Sequence, residues 1–311
     1  MAGNTIMQST DFRSEVAPIL NKWFDGVYDL RKDEYKQIFD EFKGIERSYE
    51  EQVTGFGMQA APLVPDGDPV PYAGGGQFYA TRYWFYVYGL AFALTKVLVE
   101  DGDHIRIGTS MSRHLAQSLI DTKETVTANV LNRSVNSSYI GGDGVELIST
   151  AHPLIIGGTF SNELATPAVL SRTSLEQILI QVSQAVDNTN KPIHVNGVKL
   201  VVPPALQFQA EVLLKSVLQP DNANNAVNAI NSMGLLEGGV AKITRLTSTT
   251  AWYVKTDANQ TRQFGLNLIM RRNVQKSMEG DFDTDSMRYK ATERYAAGWT
   301  DPRCLFGSAG A

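Results

Sequence analysis

The chain has 311 residues, 43% of them hydrophobic and 20% charged, with a formal net charge of −5. That length suits two domains or one elaborated one, and the acidic balance argues against a protein that coats nucleic acid, although it leaves room for a local basic patch. A single cysteine, Cys304, excludes an internal disulfide framework and a cysteine-rich zinc site.

The first residues, MAGNTIMQSTDFRSEV, lack the apolar core of a signal peptide. Synthesis and folding in the cytosol are therefore expected, with no membrane partner. Residues 12–50 read as helical and amphipathic: Leu20, Trp23, Phe24, Val27, Tyr28 and Leu30 are followed by Tyr35, Ile38, Phe39, Phe42 and Ile45. Such faces need a partner in this chain or in a neighbour. The proline- and glycine-rich stretch Phe56 to Gly76 is a turn-rich excursion. It leads into YATRYWFYVYGLAFALTKV, residues 79–97. Its longest uncharged run, Tyr83 to Thr95, is well short of the roughly 20 residues a membrane helix needs. Aromatic and β-branched residues favour one strand, apolar on both faces. Either it lies in the core or another chain covers its second face.

Residues 104–133 carry Ile107, Met111, Leu115, Leu119, Val126 and Val130 at helical spacing and predict one long helix. A helix over Thr173–Val186, capped by Ser171 or Thr173, comes next. Lys199–Val202 is expected as a strand, and Pro203-Pro204 starts a helix through Lys215. Asn222–Asn231 looks like a surface loop with at most a helical turn. Strands are expected over 240–246, 251–256 and 264–272, and the tail reads as a turn and a strand. The pattern is α+β, without alternating βαβ units, internal repeats or a low-complexity linker.

Chemistry-bearing motifs are weak. His104, His114, His152 and His194 form no HExxH or HxH pattern, and the first two stand ten apart on one helix. Asp281, Asp283 and Asp285 begin like a calcium loop, but Ser286 and Thr292 occupy the positions that need glycine and glutamate. Gly74-Gly75-Gly76 has no following GK[ST], and no GxSxG occurs. Cys304 reads as a passive thiol. Sequons at Asn132, Asn136 and Asn259 carry little meaning without a secretory signal. No enzyme, cofactor or metal is expected.

The order of elements resembles the tailed-bacteriophage major capsid proteins of the Hong Kong 97-type fold, and among them the Mu-like major head subunit family. The resemblance runs from about residue 12 to 307. AHPLIIGGTFSNELA is its most specific piece. GFGMQAAPLVPDGDPVPY, the pairing of DTKETVTANVLNRS with GGDGVELIST, LVVPPALQFQAEVLL, and LTSTTAWYV with GWTDPRCLFGS carry the rest. It implies an N-terminal arm over 1–50 and an extended E-loop hairpin over 51–98. It implies a discontinuous peripheral domain over 99–160 and 242–311, with the long helix as its spine, and an axial domain over 161–241. The implied function is a head subunit that assembles with itself into hexamers and pentamers of an icosahedral shell around double-stranded DNA. The shell would be part of the virion and would be built in the bacterial cytoplasm. Arm and hairpin would gain stability on neighbouring subunits.

Two features depart from some relatives. Between Glu51 and Thr95 there is no lysine, and Arg82 is the one cation, so no covalent crosslinking through the E-loop is expected. The short stretch before the loop leaves no room for a fused scaffolding domain, so a separate scaffolding protein is expected, with a portal and in some shells a decoration protein. An encapsulin-like nanocompartment shell is the alternative of the same fold, an enzyme or a secreted adhesin the more distant ones. Intersubunit contacts are expected at Trp23, Phe24, Tyr28, Phe39 and Phe42 on the arm, Phe56, Leu63, Val64 and Tyr72 in the excursion, and Trp84, Tyr86 and Tyr88 on the strand after it. Each of these is also compatible with the chain's own core.

Overall fold

The computed structural model describes residues 9–30, 33–58, 60–95, 97–98, 104–219, 226–258, 265–281 and 286–310. Helix α1, Ser9–Tyr28, buries Val16, Leu20 and Phe24, a spacing of one turn that puts all three on one face. The expected helical character does not extend to residue 50. A single 3-10 turn, Tyr35–Gln37, is followed by strand β1, Asp40–Lys43. Tyr35, Ile38 and Phe39 are spaced as on a helix, and that one turn suffices to bury all three. Beyond it, pairing with a distant strand outweighs the local pattern.

Strand β2, Tyr49–Phe56, and β3, Gly76–Trp84, form an antiparallel hairpin, and the described residues between them, 57–58 and 60–75, are outside any helix or strand. Strand β4, Tyr86–Thr95, follows. The aromatic stretch is thus two strands, broken at Phe85. The break shifts the inward phase: Tyr83 and Phe85 are buried before it, and Tyr88, Phe92 and Leu94 face inward after it. A continuous alternation misassigns one half. On β4, Val87 and Leu90 are exposed, at 58% and 52%. The reason is that β4 is an edge strand with only one sheet neighbour.

Helix α2, His104–Asn132, is the expected long helix, 29 residues and about 43 Å. The short strands β5, His152–Pro153, and β6, Thr159–Phe160, pair with each other. Helix α3, Arg172–Ser183, starts at a capping box in which Ser171 and Ser174 bond reciprocally. Strand β7, Gly197–Val202, leads through a 3-10 turn begun by Pro204 into α4, Gln207–Lys215. A single-turn helix α5, Ala229–Ser232, and strands β8, Val240–Lys242, and β9, Trp252–Thr256, follow. Strand β10, Leu266–Asp281, runs well past Arg272, where its pattern becomes half-exposed, and β11, Ser286–Trp299, returns along it. Strand β12, Leu305–Ser308, closes the chain's path.

Two four-stranded sheets organise the body. One has the order β1-β10-β11-β4, with β1 parallel to β10 and the other pairs antiparallel. Against it lie α1 and α2, joined through Leu20, Phe24, Leu115, Leu119, Met278 and Tyr289. The second sheet has the order β12-β9-β7-β8. Helices α3 and α4 cover it around the fully buried Trp252 and Phe306. The Trp252 indole donates to the Ala168 carbonyl at 3.0 Å, so burial leaves it satisfied.

Candidate intersubunit surface

The base of the β2–β3 hairpin is clamped to the body by buried polar groups. Thr300 Oγ1 donates to Gln52 Oε1 at 2.5 Å, which leaves Tyr83 OH, 2.6 Å away, as the donor to Thr300. Asn267 Nδ2 also donates to Gln52 Oε1, at 2.8 Å. Gly142 and Gly298 let the strand lie close: a Cβ at either would collide with Thr81 or the Tyr83 ring. Further out, Asn188 Nδ2 donates to the Gly55 carbonyl at 3.2 Å, and Lys191 reaches the Met58 carbonyl. Past this point the chain stands in solvent, with Leu63 95% and Val70 72% exposed and Tyr72 fully so.

A groove of about 490 Å³ opens beside the hairpin base. Its lining includes Trp84, Tyr86 and Tyr88 from the strands, Asn129 near the end of α2 and Arg133 just after it, and Tyr139, Ile140 and Trp299. The guanidinium of Arg82 lies 4.6 Å from the Tyr49 ring centre and that of Arg133 lies 4.3 Å from Tyr139. Stacking of this kind holds the cation's plane while its N–H edge stays able to donate.

The arm differs from expectation, because its partner is in the same chain. Lys123 Nζ stands 2.8 Å from Glu293 Oε2 and 2.5 Å from Tyr28 OH, and Tyr28 donates to the same carboxylate oxygen at 3.0 Å. Burial, then the Glu293 charge, pushes the Tyr28 phenol far up, so it stays a proton donor. Lys276 pairs with Asp25 at 2.6 Å, Tyr289 donates to Asn21, and Ser112 donates to the Leu20 carbonyl.

The expected contact residues divide accordingly. Phe24 and Phe39, 1% and 4% exposed, are in the chain's own core and have no side-chain surface for a neighbour, a correction forced by the docking of α1 and the Tyr35 turn. Tyr28, Phe56, Val64 and Tyr88 are half-buried, Tyr88 stacked on Tyr295 at 4.5 Å. Trp23 is 42% exposed beneath Arg113. Phe42, Leu63, Tyr72, Trp84 and Tyr86 are exposed. Sequence reasoning missed Arg133, Tyr139 and Ile140, which lie in an irregular segment without periodicity. It also missed Phe208 and Met233, 79% and 69% exposed. Phe208 and Val212 stand one turn apart, opposite the buried Ala210, Leu213 and Leu214, and that spacing was the available signal.

Within the AHPLIIGGTFSN motif, His152 and Asn162 form a buried pin. His152 Nδ1 is 2.7 Å from Asp143 Oδ2, and its Nε2 is 3.2 Å from Asn162 Oδ1. Asn162 Nδ2 donates to the carbonyls of Leu147, Pro302 and Leu305, and Oδ1 accepts from Ser149 N. The Cys304 thiol is pushed far up by burial, then by Asp301, and is unreactive. Asn132 bonds to Arg245 and Thr247 backbone atoms. Asp281 pairs with Arg288, whereas Asp283, Asp285, Asn259 and the His104 side chain lie outside the described residues. Among the described residues no three metal-ligating side chains gather, and no helix is long and apolar enough to cross a membrane.

Residues 85–307 match the family model described as phage capsid protein. No curated protein matches the sequence. Among solved structures, the capsid of a native GTA particle is similar at TM-score 0.57 and 9% identity, over 91% of this chain and 92% of that one. A virus-like particle from Pyrococcus furiosus gives 0.54 and 11%, over 94% and 99%. The capsid of the cyanophage P-SCSP1u gives 0.54 and 10%, over 89% and 88%. At these identities the likeness is one of fold. That fold is α+β, of the Hong Kong 97 type.

Proposed function

The chain belongs to the phage capsid protein family, and from that premise we propose how this structural protein, a major capsid shell subunit, does its work. Copies assemble into hexamers and pentamers that close an icosahedral shell around double-stranded DNA, which they meet by non-specific proximity. The observation that carries the reading is the excursion 57–75. It projects from a body whose cores are complete within one chain, and its exposed Leu63, Val70 and Tyr72 gain burial only against another molecule. Obligate contacts between shell subunits bury roughly 2,000 Å² or more. An acidic chain also keeps packaged DNA from adhering to the wall.

The finer assignments follow the same reading. The Mu-like head subunits remain the proposed nearest kin, and assembly is placed in the host cytoplasm with a separate scaffolding protein, a portal and, in some shells, a decoration protein. The chain divides into arm (1–50), E-loop (51–98), peripheral domain (99–160 and 242–311) and axial domain (161–241). Sheet β12-β9-β7-β8 forms the joint between the last two. The subunit acts by assembly and not by catalysis.

Negative-stain microscopy of the purified protein tests the core of this. Shells or capsomers are expected, and a stable monomer at high concentration sinks it. Protein cargo in place of DNA inside purified particles would move the assignment to a nanocompartment. Alanine at both Trp84 and Tyr86, 53% and 63% exposed, is expected to reduce particle yield at least tenfold while soluble subunit stays near normal. An unchanged yield rejects that role. Mature particles are expected to give one subunit band on denaturing gels, since residues 51–95 contain no lysine. A covalent ladder refutes this.

A further inference from the structure

Two half-buried arginines, Arg272 and Arg294, stand directly opposite each other in the β10–β11 ladder. Such a pair holds its Cβ atoms about 4.5–5.5 Å apart, and like charges so placed destabilise a sheet. Ala291, Glu293 and Tyr295 face the interior under α1 and α2. The alternate residues Lys290, Thr292 and Arg294 therefore line the opposite face of the sheet. Arg272 joins them there, because its Nη2 donates to Thr292 Oγ1 at 3.1 Å. The ladder shifts register on both sides of Arg272, an irregularity of the kind that re-aims a side chain.

The protein does not offset these two charges. Among the described residues neither guanidinium has a carboxylate partner, and Arg272 Nε is buried without a hydrogen bond. Arg294 Nε donates to the Phe85 carbonyl at 3.2 Å, and its two Nη groups make no bond to a described residue. Thr292 accepts from Arg272, so its own hydroxyl proton remains able to donate. On the β4 side the neighbour of Thr292 is the exposed Gly89, where a Cβ would meet Thr292 Cγ2 at 2.6 Å, so glycine keeps the approach open. Lys290 is exposed on the same face and adds a third cation. We infer that Arg272, Thr292 and Arg294 bind a dianionic phosphate group, as inorganic phosphate or a phosphomonoester. Two guanidiniums call for two negative charges, which such a phosphate approaches at neutral pH with about −1.5 to −2. A carboxylate or a DNA phosphodiester brings one. The planar forks of arginine also match phosphate oxygens. Because Arg294 is bonded to Phe85, where β3 breaks from β4, a bound phosphate also stiffens the root of the hairpin. The inference does not depend on the shell reading.

The test titrates inorganic phosphate into the full chain at constant ionic strength and follows it by phosphorus-31 NMR. Saturable broadening of the phosphate line is expected, and acetate at equal concentration should not reverse it. Arg272→Gln and Arg294→Gln are each expected to weaken binding at least tenfold. Should both fail to fold, Lys290→Glu on the exposed surface carries the test, with an expected weakening of at least threefold. Phosphate should also slow hydrogen exchange across residues 84–88. A nucleoside monophosphate that competes at equal affinity identifies the phosphate group alone as the ligand, and one that binds at least tenfold tighter identifies the nucleotide as its source. Broadening that never saturates overturns the inference, as does equal binding of acetate or unchanged binding in every folded variant. Duplex DNA without terminal phosphates that competes as well as inorganic phosphate also overturns it, since the face would then read a backbone of single charges.

Discussion

Lys123→Met is expected to cost roughly 3–5 kcal/mol of folding stability, because it strands the Glu293 carboxylate in the interior. The two side chains are 7% and 0% exposed, and the Tyr28 hydroxyl bonds to both. One phenol cannot replace an ammonium as the counter-charge of a carboxylate that water does not reach. The double variant Lys123→Met with Glu293→Leu removes both charges. It should recover most of the loss, since an apolar pair of similar volume is often neutral or better. Urea unfolding of the subunit reads both effects. A single-variant cost under ~1 kcal/mol, the range of exposed pairs, would show that the pair is solvated in practice. Because Tyr28 ends α1, Lys123 lies on α2 and Glu293 lies on β11, the single variant should also loosen the arm.

Asn162→Ala is the second substitution with a large expected effect, about 3 kcal/mol or more. The Asn162 side chain is fully buried and serves three carbonyls and one amide from two distant stretches of chain. Alanine leaves several of those groups without a partner, each at roughly 1–3 kcal/mol. Asp at the same position is no remedy, because it turns an acceptor towards the carbonyls of Leu147, Pro302 and Leu305. Hydrogen exchange should rise across 143–163 and 302–307 while α1 stays protected. Uniform loss of protection would mean that the pin is not local, and no loss would mean that the network contributes little.

What was legible in the sequence follows from how far each residue's fate is local. Helix α2 was visible because Leu115, Leu119, Val126 and Val130 repeat along a face that one neighbouring layer covers. Helix α3 was visible through Ser171 and its cap. Residues 40–50 were not, because the spacing of Tyr35, Ile38 and Phe39 is satisfied by one turn before β1 pairs with β10, more than 220 positions away. The strand break at Phe85 was hidden because aromatic residues stand on both sides of it, so a shift of phase leaves no polar trace. The contact surface was the least legible part. Trp23 and Phe24 are adjacent and equally apolar, yet one is 42% and the other 1% exposed. Only the docking of α1 on α2 separates them. The fold class was legible throughout, because it depends on the order of elements more than on their edges.

The late part of the chain enters two of the hydrophobic clusters. Tyr295, Trp299, Cys304 and Leu305 fill one, and Phe306 fills the other, with β12 bonded to β9. Synthesis delivers the chain from its N-terminus, so a nascent polypeptide that stops before residue 305 lacks Leu305 from one cluster and Phe306 from the other. Its long α2 and its exposed excursion would already be present, but with no finished body to seat them. The pairing of β12 with β9 is therefore among the last contacts that a growing chain can make, and until then the apolar strands it covers stay open to other molecules.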